Sequence, residues 1–131
     1  MPTISLDWER DWRFDAYDSK GMPVDIDGRQ EAGVKPSDLL PIALAACAAT
    51  DLVQLLGDRL TSLSVEAGFT QSHRPPWTFQ RIRLHYRVAG TELTDTEVAE
   101  AIHRSEHEMC SVAASISIPI DSTFEIVPGG R

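Results

Sequence analysis

The sequence predicts an α+β fold in one domain spanning residues 1–131, and three observations carry that prediction. Alternating, aromatic-rich segments open the chain, as half-buried strands do. A stretch from Leu39 to Ala49 is apolar on every side, which no surface helix is. A capping-box sequence at Thr94-Asp95-Thr96-Glu97 starts a second helix between two further alternating regions.

Taken in order, residues 3–9 and 12–18 read as strands, Ser19-Lys20-Gly21 as a turn, and residues 23–27 as a third strand. Residues 28–36 form a loop. The first helix runs from Pro36 or Ser37 to Arg59, with Pro36 suited to the first helical position. Pro41 marks a kink or the true helix start. Because this helix is apolar all round, it is expected to be buried all round, within the molecule or across an interface. Residues 61–70 and 77–89 are strands joined by a loop at 71–76. In the second, Phe79, Ile82, Leu84, Tyr86 and Val88 form most of one face, opposite Arg81, Arg83, His85 and Arg87. The second helix buries Val98, Ala101, Ile102, Ser105 and Met109 and reaches Cys110. Residues 111–117 continue it or form a short helix of their own. Pro119 ends the helical region, and residues 123–127 are the last strand.

Composition narrows the function classes. The net charge of −8 disfavours nucleic-acid binding, which needs a basic surface. Residues 1–12 lack the charged, apolar and small order of a signal peptide, and no apolar run approaches membrane length. A cytoplasmic protein is expected, where a disulfide would be transient rather than a staple.

Cys47 and Cys110 are the two cysteines of the chain, each in an apolar helical setting. Free cysteine packs as a small hydrophobe, so the pair is either core filling or a poised redox couple. The redox reading needs the two thiols to meet and a cation to favour the first thiolate against burial. Asp51 lies one turn beyond Cys47 on the same helix face and reads as the end of the buried segment against a structural partner. His103-Arg104-Ser105-Glu106-His107 matches a zinc-protease order, but these positions fall largely outside the apolar stripe and read as surface residues. The Arg81/Arg83/His85/Arg87 stripe reads as a solvated strand face.

Several short motifs stand in a specific order along nearly the whole chain. They are Trp12-Arg13-Phe14, Gly21 with Val24–Asp27, Lys35–Leu40, Ala43–Cys47 with Asp51-Leu52-Val53, Phe79–Tyr86, Val88-Ala89-Gly90, and Ala101–Ser105 leading to Cys110-Ser111-Val112. In this arrangement the chain resembles the OsmC/Ohr family, the osmotically inducible protein C and organic hydroperoxide resistance proteins. The resemblance implies antiparallel sheets around a long central helix and an intertwined homodimer, with two active sites at the subunit interface. It further implies that Cys47 is the peroxidatic thiol and Cys110 the resolving thiol. Arg13, with Arg10 next in position, is the implied guanidinium beside the thiolate, and Asp38 the acid that orients it. The peroxidases of the family carry a glutamate where this chain has Ser37; Asp38 comes one residue later and is one methylene shorter. They also follow the second cysteine with proline, where this chain has Ser111. Both departures place the chain closer to the less characterised OsmC-like branch.

The function expected from this resemblance is a thiol-dependent peroxidase that reduces organic hydroperoxides and is re-reduced by an external dithiol. No metal, flavin or haem is expected, and the charge and apolar pattern above call for no nucleic-acid or membrane partner. A dimeric OsmC-like protein that binds a small apolar ligand, or senses oxidation through its cysteines, is the other expectation.

Overall fold

The computed structural model describes residues 1–128, which fall in two compact units, one from Met1 to Leu40 and one from Pro41 onward. In the first, β1 (Ser5–Arg10), β2 (Arg13–Tyr17) and β3 (Pro23–Asp27) form an antiparallel sheet in chain order. The expected strands are all present, displaced at their ends by a residue or two. The β2–β3 turn is tied by Asp18, whose Oδ1 accepts the amides of Lys20 and Met22, each at 2.9 Å. After β3 the chain doubles back. The Val34 amide donates to Asp25 O at 2.8 Å, and the Asp27 amide donates to Val34 O at 3.0 Å. Gly33 permits this return, because a Cβ there would stand 2.7 Å from Asp25 O.

The second unit is built on α1 (Leu39–Leu56), whose first two residues belong to the preceding unit. A 3₁₀ turn at Pro36–Asp38 leads into it and another at Gly57–Arg59 follows, so the expected single helix is three consecutive helical pieces. Pro41 lies in the first α-helical turn, where its missing N–H had no intrahelical acceptor to lose. Gly57, at φ 59°, takes the left-handed conformation that ends the helix. β4 (Leu60–Gln71) and β5 (Phe79–Gly90) form a long antiparallel hairpin. The capping box closes as expected: Thr94 Oγ1 accepts the Glu97 amide and Glu97 accepts the Thr94 amide, starting α2 (Asp95–Arg104).

A π turn at Ser105–Met109 extends that helix to Cys110, and α3 (Ser111–Ser115) is a short helix of its own. The final strand, β6 (Ile120–Ile126), begins at Ile120 rather than at Thr123. The expected antiparallel pairing holds for β1–β2, β2–β3 and β4–β5, while β6 pairs with β5 in parallel, from Ile82↔Ile120 to Val88↔Ile126. The helical crossover is the cause: a chain that leaves one end of β5 through α2 and α3 returns to begin β6 at the other, in the same direction.

Leu44, Ala48 and Leu52 of α1 join Val98, Ala101 and Ile102 of α2 and Ile82, Leu84, Tyr86 and Val88 of β5 in one core. Burial of α1 all round does not hold within the chain. Ile42 and Val53 remain 51% and 53% exposed, because the core takes up only one helix face. The helical stretch Pro36–Arg59 is also long and apolar enough to cross a membrane by length and composition, contrary to the expectation that no run approaches that size. Its packing against α2 and β5 gives that apolarity a core role.

Candidate functional site

Cys47 and Asp51 stand one turn apart on α1, so both point to the same side of the helix. The other half of the site comes from the end of the second helix. In a regular α-helix, residues five apart are about 140° out of phase. The π turn narrows that offset, and the Cys110 amide donates to Ser105 O at 2.7 Å. Ser105 and Cys110, both buried, therefore lie over the same part of α1. Ser105 Oγ donates to Asp51 Oδ2 at 2.8 Å. The Cys47 and Cys110 sulfurs and one Asp51 oxygen all lie within 4.8 Å of one another.

The two thiols differ in exposure and in acidity. Cys110 is 2% exposed and caps α3, its sulfur accepting the Ala113 amide at 3.4 Å. Cys47 is half-buried and reachable from solvent. Burial pushes the Cys47 thiol up, but the Cys110 thiol, the amides of Val112 and Ser111 and the Ser111 hydroxyl outweigh it and bring the pKa below the ordinary cysteine value. Burial raises the Cys110 thiol, and the neighbouring Cys47 adds to the rise. The two are free cysteines with a built-in difference: an accessible, acidified sulfur beside a buried, protonated one.

Behind them, Tyr86 is fully buried, and its hydroxyl has no partner at normal hydrogen-bond geometry. Burial first, then Glu106, hold it protonated against the opposing Ser122 hydroxyl, with smaller contributions from Cys110 and Asp51. Glu106 is itself hydrogen-bonded by the Ser122 hydroxyl.

Arg13 and Asp38 both belong to the first unit, and they do not pair there. Arg13 Nε faces Asp27 Oδ2 at 3.7 Å, and Asp38 accepts from Gln30 Nε2 at 3.2 Å. In this chain the carboxylate beside Arg13 is that of Asp27. That residue is 2% exposed and also accepts the amides of Arg29, Glu31 and Ala32 at 2.8, 3.3 and 2.9 Å. The Arg29 amide leads in holding its carboxyl below the ordinary aspartate range, against burial and with help from Ala32, Glu31 and Arg13. Register explains the pairing, since Arg13 and Asp27 are directly opposed in the β2–β3 ladder.

Asp51, expected to end the buried segment against a structural partner, is buried and has that partner, and it also lies beside both thiols. Its one-turn spacing from Cys47 was the available signal, and the structural partner expected for it is Ser105. His103 and His107 are exposed, with ring centroids 4.4 Å apart, and lie outside the thiol cluster. The basic stripe of β5 is matched by β6: Arg81 pairs with Asp121, while His85 and Arg87 reach Glu125 at 2.9 and 3.1 Å. It is the solvated face that was expected, and its ion pairs to β6 are what the structure adds.

These features define an α+β protein in which two dissimilar thiols converge from separate helices. The chain belongs to the OsmC/Ohr-like family: the family model described as "OsmC-like protein" matches residues 28–125. Protein YhfA of Escherichia coli (strain K12) is 29% identical over 126 residues, covering 92% of this chain and 94% of that protein. An OsmC-like protein from Mycoplasma pneumoniae shares the fold at TM-score 0.80, with 20% identity and 97% of each chain covered. The organic hydroperoxide resistance protein OhrB of Bacillus subtilis superimposes at TM-score 0.59, with 16% identity over 95% of this chain and 96% of that one.

Proposed function

We propose that this protein is a cytoplasmic thiol-dependent peroxidase that reduces organic hydroperoxides through Cys47 and Cys110. The observation that carries the reading is the convergence of a half-buried, acidified Cys47 on a buried, protonated Cys110 within 4.8 Å. Family membership, and the fold shared with the organic hydroperoxide resistance protein OhrB of B. subtilis, point the same way.

In the proposed cycle, the Cys47 thiolate attacks the terminal oxygen of R–O–O–H. The O–O bond breaks, the alkoxide leaves and takes up a proton as alcohol, and Cys47 becomes a sulfenic acid. Cys110 then attacks the Cys47 sulfur; hydroxide leaves, joins the Cys110 proton as water, and a disulfide forms. An S–S bond of about 2.04 Å requires the sulfurs to close together, and the end of the helix at Cys110 is where the chain can move to do so. An external dithiol restores both thiols. Asp51, within 4.8 Å of Cys110, is suited to receive the proton that Cys110 must lose.

The part assigned to Arg13, steadying the Cys47 thiolate, rests on the resemblance, with Asp27 holding the guanidinium. A homodimer is part of the proposal. It is supported by the apolar residues left on α1, Ile42 and Val53, and by Leu6 and Trp8 of β1, which are 54% and 68% exposed.

The test is hydroperoxide consumption in the presence of dithiothreitol, using cumene hydroperoxide and hydrogen peroxide. Turnover that favours the organic substrate and disappears in Cys47→Ala supports the proposal. Consumption no faster than with dithiothreitol alone refutes it.

A further inference from the structure

We propose that the reduced site is also a binding site for a thiophilic, low-coordination metal ion of the Zn²⁺ class, held by Cys47, Cys110 and Asp51. No metal was expected at this site, and metal binding there would be independent of peroxidase activity.

The argument starts from donor chemistry. Two thiolates and a carboxylate form a soft-to-borderline set that favours Zn²⁺ over Mg²⁺ or Ca²⁺. The three donor atoms already lie within 4.8 Å of one another. Bond lengths of about 2.3 Å to sulfur and about 2.0 Å to oxygen place tetrahedral donors roughly 3.3–3.8 Å apart, so small side-chain movements close the site.

The donors are also supported from behind. Ser105 donates to Asp51 Oδ2, leaving carboxylate lone pairs for an ion and fixing the group's orientation, as outer partners of ligating carboxylates do. Asp51, within α1, and Cys110, between the π turn and α3, are both buried, at 8% and 2% exposure. The half-buried Cys47 leaves a path from solvent and a fourth position for water. Binding displaces one proton from each thiol, so two protons leave as two sulfur–metal bonds form. Disulfide formation removes both thiolate ligands. Metal and peroxide therefore compete for the same reduced pair.

Cobalt(II) titration of the reduced, full-length protein tests the proposal, because sulfur-to-cobalt charge transfer reports thiolate ligation directly. The expected result is one cobalt per chain with a charge-transfer band, displaced by Zn²⁺. The band should be absent in Cys47→Ser, in Cys110→Ser and after oxidation with diamide. Asp51→Asn should weaken binding by at least about tenfold, and Ser105→Ala by about 10–100-fold, with circular dichroism confirming that each variant is folded. Cobalt held without a sulfur band, as exposed His103 and His107 would hold it, overturns the proposal. So do undiminished affinity in Asp51→Asn and Ser105→Ala, or binding that survives oxidation.

Discussion

Each unit of the chain buries one aspartate among its described residues, and the two are held in different ways. Asp27, at the end of β3, accepts three backbone amides and faces a guanidinium. Asp51, in the middle of α1, has the Ser105 hydroxyl as its hydrogen-bond donor and shares its remaining surroundings with two thiols. A carboxylate whose lone pairs are filled by the backbone organises a loop and has little capacity left for chemistry. One held by a single hydroxyl keeps capacity for a proton or an ion.

The largest effect expected from this contrast is on the first unit. Asp27→Ala strips the 28–33 return of the acceptor that gathers its amides, and should lower the melting temperature more than any change at Asp51. An equal loss in Asp51→Asn would break the comparison. Ser105→Ala should cost about 1–3 kcal/mol in urea unfolding, since it leaves a buried carboxylate without its donor. Asp51→Asn keeps an acceptor for Ser105 and should cost about 1 kcal/mol or less.

Acid titration sharpens the contrast further. The Asp27 pKa is lowered in the fold, so its stabilisation is complete above the ordinary aspartate range and is lost as pH falls through the lowered value. The melting-temperature gap between the protein and Asp27→Asn should therefore hold steady from neutral pH down to that range and close below it. At Cys47, alkylation by iodoacetamide should rise at a lower pH than for free cysteine, and Ser111→Ala should move the rise upward. The smallest effect belongs to the exposed sheet surface, where Trp8→Ala should change monomer unfolding by within about 0.5 kcal/mol.

Local chemistry made much of this fold legible in the sequence. The Thr94–Glu97 capping box, the alternation in β5 and the three opening strands depend on neighbouring residues, and they formed as read. What was not legible depends on residues distant in the chain. The direction of β6 is set by the crossover that precedes it, and the choice of Asp27 over Asp38 as partner of Arg13 by ladder register. The π turn that brings Cys110 over Ser105 has no sequence signature of its own, so the place of Asp51 beside both thiols emerged only in three dimensions. The apolar girth of α1 was read correctly as composition, but one chain buries only part of it.

The central claim, that Cys47 and Cys110 act as one redox pair, is tested most directly by peptide mapping after treatment with one equivalent of cumene hydroperoxide. The account predicts loss of both free thiols in each chain and a Cys47–Cys110 cross-linked peptide that dithiothreitol reverses. Both thiols remaining free, or Cys47 oxidised to sulfinic acid while Cys110 stays reduced, would contradict it.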